Sequence, residues 1–207
     1  MPQSTEPHPT EPRTALLVLA AGSSSRLGRP KQLLPYRGGV LLDAVLSTAR
    51  AVAVEQVVLV LGGSADLVRS VVDTTGCTVV ENPGFGDGCS SSIAAAIPSL
   101  HPDTEVLVLL LGDQPGVSAE AVQRLLAGRG NAPLAVCRYD DGVGHPFAFA
   151  RSVFPALSGL HGDKAVWKML EQRASDVVEV PLPDTIPLDV DTEEDYERLL
   201  AGDGGEP

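Results

Sequence analysis

The 207-residue sequence has no apolar run that approaches the length of a membrane span. Cysteine is scarce. Cys77, Cys89 and Cys137 form an odd, scattered set with no C-x-x-C pair and no metal-ligand spacing, which fits a reducing cytoplasm rather than a disulfide framework. Basic charge is also short. Fifteen Lys and Arg stand against 27 Asp and Glu, a formal net charge of −12. Phosphate backbones select basic faces, so nucleic acid is not the expected main partner. A single nucleotide remains compatible, because local cations and a divalent metal can hold one anion in an acidic protein. Both common phosphate-loop patterns are missing. The Walker pattern needs four residues between its glycines and then Lys-Ser or Lys-Thr; here five separate Gly22 from Gly28, and Lys31 is followed by Gln32. The G-x-G-x-x-G fingerprint is absent too.

What the chain has is 43% apolar residues and a regular alternation of strand-like and helical runs. Ala15–Leu19 reads as a buried strand. Leu42, Val45, Leu46, Ala49 and Val52 form a helix stripe within 41–54. Gln56–Leu61 is a second strand, followed by a helix that Ser64 caps and that buries Leu67, Val68, Val71 and Val72. Cys77–Val80 is a short strand, 82–88 a loop, and Ser90–Ile97 a helix in which at least one serine caps. Val106–Leu111, the most apolar strand, belongs at the centre of the sheet. Ser118–Leu126 reads as a helix, Leu134–Cys137 and Pro146–Phe149 as strands, and Ser152–Leu157 and Asp163–Gln172 as helices. Val177–Val180 follows as a strand. Thr192 and Asp195 form a capping box for a last helix. This pattern predicts an α/β fold: a Rossmann-like three-layer sandwich whose mostly parallel sheet carries helices on both faces. One domain is expected over residues 14–200. Residues 1–13 are expected to be a disordered leader, and 201–207 a loose tail.

Leu19-Ala20-Ala21-Gly22-Ser23-Ser24-Ser25-Arg26-Leu27-Gly28-Arg29-Pro30-Lys31 opens directly from the first strand. Small side chains there let backbone N–H groups approach phosphate oxygens, and Arg26 and Lys31 supply fixed positive charge. Ligands of such folds sit beyond the C-terminal strand ends, where Gly112-Asp113-Gln114-Pro115 also falls. A carboxylate at Asp113 can ligate Mg²⁺. Asp189 and Asp191 alternate onto one side of an extended segment before the last helix.

The loop resembles the L-A-A-G-x-S-x-R-x-G-x-x-K signature of nucleotidyltransferases related to molybdenum cofactor cytidylyltransferase, with every fixed position filled. G-D-Q-P looks like that family's metal motif. Asp191-Thr192-Glu193-Glu194-Asp195-Tyr196 is similar to its D-T-P-E-D-[LY] segment, with Glu193 in place of proline. Glu81-Asn82-Pro83 through Ser90-Ser91-Ser92-Ile93 resembles its N-P-x-x-x-x-G-x-x-S-S-[LI] segment. Gly144-His145-Pro146 and Gly162-Asp163-Lys164 look like its acceptor-side motifs. The second departs from the pattern, since Ala165-Val166-Trp167 replaces Gly-small-Arg.

The resemblance spans about residues 14–200 and implies a nucleotide-diphospho-sugar transferase-like fold and a Mg²⁺-dependent transfer. Arg26, Lys31 and Asp113 are its expected catalytic residues. Leu19, Ala20, Ala21, Gly22, Ser23, Arg26, Lys31, Gly88 and Ser92 are expected to bind the nucleotide. Asp113 and Asp191 are the expected metal ligands, with Asp189 the lesser candidate. His145, Asp163 and Lys164 are expected on the acceptor side. The donor implied is CTP, because Ala21 is alanine in cytidine-using relatives and tends to glycine in the guanylyl branch. The acceptor implied is phosphorylated molybdopterin, with transient contact to a molybdoenzyme or its chaperone. GTP, another phosphorylated acceptor, or a non-catalytic cofactor carrier are the alternatives.

Overall fold

The computed structural model describes residues 13–202. The expectations for residues 1–12 and 203–207 lie outside the described residues. Arg13 is tied to the sheet, its carbonyl accepting from Glu105 and Val106 N–H at 2.8 and 3.1 Å. Ala201 and Gly202 continue the last helix rather than beginning a tail.

In chain order the strands are β1 (Thr14–Ala20), β2 (Pro35–Tyr36), β3 (Gly39–Val40), β4 (Gln56–Leu61), β5 (Cys77–Glu81), β6 (Val106–Leu111), β7 (Leu134–Tyr139), β8 (Gly142–Ala150) and β9 (Val177–Pro181). The helices are α1 (Leu41–Ala51), α2 (Ala65–Val71), α3 (Cys89–Ala96), α4 (Ala119–Arg129), α5 (Phe154–Ser158), α6 (Ala165–Gln172) and α7 (Glu193–Gly202). Seven strands form one sheet in the order β5-β4-β1-β6-β8-β7-β9, and β2 and β3 form a separate antiparallel pair. All pairings in the large sheet are parallel except the two made by β8. As expected, β6 lies at the centre.

Alternation along β1 explains the layers. Leu16, Val18 and Ala20 point to a core shared with α1, α2 and α4. Ala15, Leu17 and Leu19 point to a second core with α3, α5 and α6. Both faces are therefore apolar, which is why the strand reads as an unbroken hydrophobic run. Each fully buried leucine contributes roughly 1.5–3 kcal/mol. A third cluster of Leu34, Tyr36, Leu41, Val190 and Tyr196 packs α7 beside the β2–β3 pair.

The pattern of apolar residues hides some features. The strands at 134–137 and 146–149 extend into a hairpin, and β8 returns antiparallel between β6 and β7. The helix that starts at Ser118 runs on to Arg129; the Ser118 hydroxyl accepts from Ala121 N–H at 3.1 Å, a true cap. In α2 the expectation holds for Val68 and Val72 but not for the rest. Ser64 holds the N-cap position without a side-chain cap bond. Leu67 and Val71 are 50% and 53% exposed, and only Ala65, Val68 and Val72 are buried. Leu67 and Val71 are one helical step from the buried stripe, and among the described residues no element covers that second stripe.

Candidate active site

The turn after β1 is built from its own backbone. Leu27 and Gly28 N–H both donate to the Ser24 carbonyl at 3.1 Å. Ser24 adopts φ +51° and Gly28 φ +64°. The Ser24 hydroxyl accepts from Lys31 N–H at 2.9 Å, which returns the loop to its start. Gln32, almost wholly buried, donates from Nε2 to the Ala20 carbonyl at 2.7 Å and the Gly22 carbonyl at 3.3 Å. The loop is thus tied to the end of β1 by a side chain that follows Lys31 in sequence.

Lys31 points inward. Its ammonium touches Asp113 at the end of β6 and lies 2.7 Å from Asp191 Oδ1. Arg26 reaches the other oxygen of Asp191 at 2.8 Å. Burial alone would lower the pKa of Lys31; Asp113 and Asp191 outweigh it and hold the ammonium above its ordinary value. Burial works against the Asp191 carboxylate, but Lys31 and Arg26 together bring it below the usual range. The two carboxylates come from distant elements. Val190 N–H donates to the Asp113 carbonyl at 3.1 Å, and the Val190 side chain is fully buried in the α7 cluster. That plug sets Asp189 and Asp191 on either side of it. Among the described residues Asp189 makes no ion pair, and the attraction of the nearby Lys31 does not offset what raises it. Its surroundings desolvate it, Asp113 and Asp191 repel it, and its pKa is pushed up to about 6.

Across the opening, α3 presents its first turn. Asn82 Nδ2 donates to the hydroxyls of Ser91 and Ser92 at 2.9 and 3.0 Å. Ser91 donates onward to the Gly84 and Gly88 carbonyls. Ser92 accepts from Asn82, and its own hydroxyl proton has no acceptor among the described residues. The expected serine cap is not found: the N-cap position is Gly88, with no side-chain bond. Cys89 N–H instead donates to Asp163 Oδ1 at 3.0 Å. Burial, with Asp163 and Asp113 nearby, pushes the Cys89 thiol up to about 11, which favours the protonated thiol at neutral pH.

These parts line one cleft of about 630 Å³. Of the residues expected from the sequence, Leu19, Ala20, Ala21, Gly22, Ser23, Arg26, Lys31, Gly88, Ser92, Asp113, Asp163, Lys164 and Asp191 all border it. His145 and Asp189 are not among its lining residues. His145 stacks on Phe147 at 4.1 Å and meets Trp167 edge-on at 6.3 Å. Burial lowers its pKa to about 4, so the imidazole is neutral. The cleft also holds residues that the motifs passed over: Gln32, Phe85 and Cys89. Gln32 had a signal, since a glutamine beside the lysine of a phosphate loop can pin backbone carbonyls; the apolar wall at Phe85 had none.

Among the described residues, no group of three or more His, Cys, Asp or Glu side chains is placed to hold a metal ion. Asp113 and Asp191 nonetheless contact one and the same ammonium. One cation can therefore satisfy both, and a two-carboxylate seat completed by phosphate oxygens and water is the usual Mg²⁺ arrangement.

A basic loop at the end of a parallel strand, its cations paired with two carboxylates at the edge of a cleft, defines an α/β protein of the nucleotide-handling class. The chain belongs to the MobA-like NTP transferases: the model of the MobA-like NTP transferase domain matches residues 16–177. It is 34% identical to nicotine blue oxidoreductase of Paenarthrobacter nicotinovorans over 194 residues, 89% of this chain and 95% of that one. It is 28% identical to molybdenum cofactor cytidylyltransferase of Escherichia coli K12 over 137 residues, 65% of this chain and 69% of the relative. The crystal structure of a homolog of Mycobacterium tuberculosis Rv0371c, from Mycobacterium sp. strain JC1, superposes with TM-score 0.87 at 47% identity, covering 93% of this chain and 98% of that one. Rv0371c itself, in complex with manganese, superposes with TM-score 0.81 at 42% identity, covering 91% and 98%. The fold is the Rossmann-like nucleotide-diphospho-sugar transferase architecture expected from the sequence.

Proposed function

We propose that the protein is a divalent-metal-dependent nucleotidyltransferase that moves CMP from CTP to a phosphorylated acceptor, with molybdenum-loaded molybdopterin as the acceptor. The observation that carries this reading is the Lys31 ammonium, gripped by Asp113 and Asp191 at the mouth of the β1 loop. Such a set has a clear use when a metal-bound triphosphate enters. Arg26 and Lys31 then exchange carboxylates for phosphate oxygens and neutralise the β/γ- and α-phosphates. Asp113 and Asp191 are the residues that would hold Mg²⁺ or Mn²⁺, with Asp189 beside them. When bound, the ion would neutralise triphosphate charge. The manganese complex of Rv0371c supports a divalent ion in this family.

The acceptor's terminal phosphate oxygen attacks the α-phosphorus in line. The bond between the α-phosphorus and the bridging oxygen breaks, and pyrophosphate leaves with the electron pair. No protein nucleophile takes part; positioning and charge neutralisation carry the displacement. Leu19 through Ser23 border the nucleotide, with the backbone of Ala20, Ala21 and Gly22 contributing to recognition of the base and phosphates, and Gly88 and Ser92 face the base. The free proton of the Ser92 hydroxyl suits the acceptor atoms on the edge of cytosine. Lys164 takes the acceptor side, with His145 as a neutral group behind it. A cytoplasmic site and a passing contact with a molybdoenzyme or its chaperone complete the reading. The family membership, and a cytidylyltransferase among the relatives, support this donor and acceptor.

GTP as donor, or a sugar or alcohol phosphate as acceptor, uses the same chemistry. A carrier that binds molybdenum cofactor without catalysis has no use for the Lys31–Asp113–Asp191 set. A redox reading is favoured by one observation, the 34% identity to nicotine blue oxidoreductase. Pyrophosphate release, measured with each of the four NTPs, Mg²⁺ and molybdenum-loaded molybdopterin, tests the proposal. Release with CTP alone among the four supports it. Release with GTP changes the base. No release, together with reduction of nicotine blue by the same preparation when a hydride donor is supplied, favours the redox reading.

A further inference from the structure

Asp163 lies in the segment assigned by sequence to the acceptor, yet its carboxylate is tied to the opposite wall of the cleft. Its Oδ1 accepts from Cys89 N–H at 3.0 Å. The N-cap position of α3 is Gly88, which has no side chain to do this. Gly88 has φ +97°, and a Cβ there would come within 2.7 Å of Asp163 Oδ1, 2.8 Å of Asp163 N and 2.9 Å of Gly162 C. Only glycine admits so close an approach. None of the serines in the first turn of α3 replaces the missing cap. The Ser91 hydroxyl donates to carbonyls, the Ser92 hydroxyl accepts from Asn82, and the Ser90 hydroxyl is buried without a partner among the described residues.

We propose that Asp163 is a positioning residue for the nucleotide, acting through α3 rather than touching the acceptor. This rests on the reading of the cleft as an NTP site. An uncapped helix start frays, and the turn that frays here carries Gly88 and Ser92. Asp163 holds that turn, and so holds the Ser92 hydroxyl at a fixed place in the cleft wall. The contact acts as a cap: it supplies the oxygen that the first turn of α3 lacks, and any oxygen acceptor at position 163 can do the same.

The test uses the full chain and two variants, Asp163→Ala and Asp163→Asn. Asparagine keeps an oxygen for the Cys89 N–H; alanine does not. Calorimetric titration with Mg²⁺–CTP, with no acceptor, should show binding about five- to tenfold weaker in Asp163→Ala and within about twofold of wild type in Asp163→Asn. Inorganic pyrophosphate with Mg²⁺, which engages only the loop wall, should bind the alanine variant no more weakly than it binds wild type. Hydrogen exchange across 88–92 should quicken in Asp163→Ala and return towards normal in Asp163→Asn. Equal CTP binding by wild type and Asp163→Ala overturns the proposal, as does an asparagine variant as weak as alanine. Equal loss for CTP and pyrophosphate also overturns it, because that is general damage to the cleft. A wild-type chain that binds no NTP overturns the nucleotide reading itself, a result distinct from these.

Discussion

Lys31 is the residue on which the proposed chemistry turns, because its ammonium is already held by the two carboxylates it must share with a ligand. Its removal has two effects. The triphosphate loses a cation where charge builds on the leaving group, and Asp113 and Asp191 lose the charge that compensates them. Lys31→Ala is expected to lower pyrophosphate release by about 10²–10³ while the circular dichroism spectrum keeps its shape. A rate within a few-fold of wild type refutes the role. Ser92→Ala should weaken CTP by about 0.5–1.5 kcal/mol in a binding titration; an unchanged affinity removes Ser92 from base recognition. Asp189 offers a test through pH. Its folded pKa, about 6, is above the ordinary value of 3.8. The folded state therefore binds the extra proton between those values, and ionised Asp189 destabilises the metal-free protein above about pH 6. Asp189→Asn should accordingly raise Tm at pH 7.5, by about 2 °C after allowance for solvent screening. The gain should shrink as pH falls through 6 and vanish near 4, as thermal melts across that range will show. A gain that persists at pH 4 contradicts desolvation and carboxylate repulsion as its cause.

At the scale of elements, the cleft depends on how tightly three strand ends converge. Gly62 ends β4, and a Cβ there would come within 2.4 Å of the Ala21 carbonyl and 3.0 Å of the Phe85 ring. Gly62→Ala must push the β1 turn or the 84–87 loop outwards. It should lower stability by about 1–3 kcal/mol, read as a lower denaturant midpoint, and weaken nucleotide binding with it. A variant as stable as wild type shows that the turn can give. The elements also mark what a sequence can tell. Strands β1, β4 and β6 are plain in the sequence because both their faces are buried, and Ser118 and Thr192 are plain because their caps are local. In the Thr192–Asp195 box, Asp195 N–H donates to the Thr192 hydroxyl at 3.2 Å and Thr192 N–H returns to Asp195 at 2.9 Å. The cap of α3 is not legible, since its oxygen arrives from a residue 74 positions away. Nor is the exposure of Leu67 and Val71, because periodicity shows that a stripe is apolar but not whether anything packs on it. The reversal of β8 is hidden as well, for a hairpin strand and a crossover strand carry the same alternation.

For the whole molecule, the net charge of −12 makes the Arg26–Lys31–Lys164 lining a local exception in an acidic protein. Carboxylates neutralise much of it, and a polyanion must displace them. The motif residues that border the cleft are legible because small-residue loops, cations and strand-end aspartates each have a chemical reason to stand where they do. The surroundings of His145 are not, since its stacking on Phe147 and against Trp167 joins a strand to a distant helix. The most direct test of a metal-dependent nucleotide site is a calorimetric titration of the full chain with CTP, with and without Mg²⁺, in wild type and Asp113→Asn. The expected result is saturable CTP binding that requires the metal and is lost or greatly weakened in Asp113→Asn. Absence of binding for all four NTPs with Mg²⁺ present, or binding indifferent to both the metal and Asp113, would contradict it.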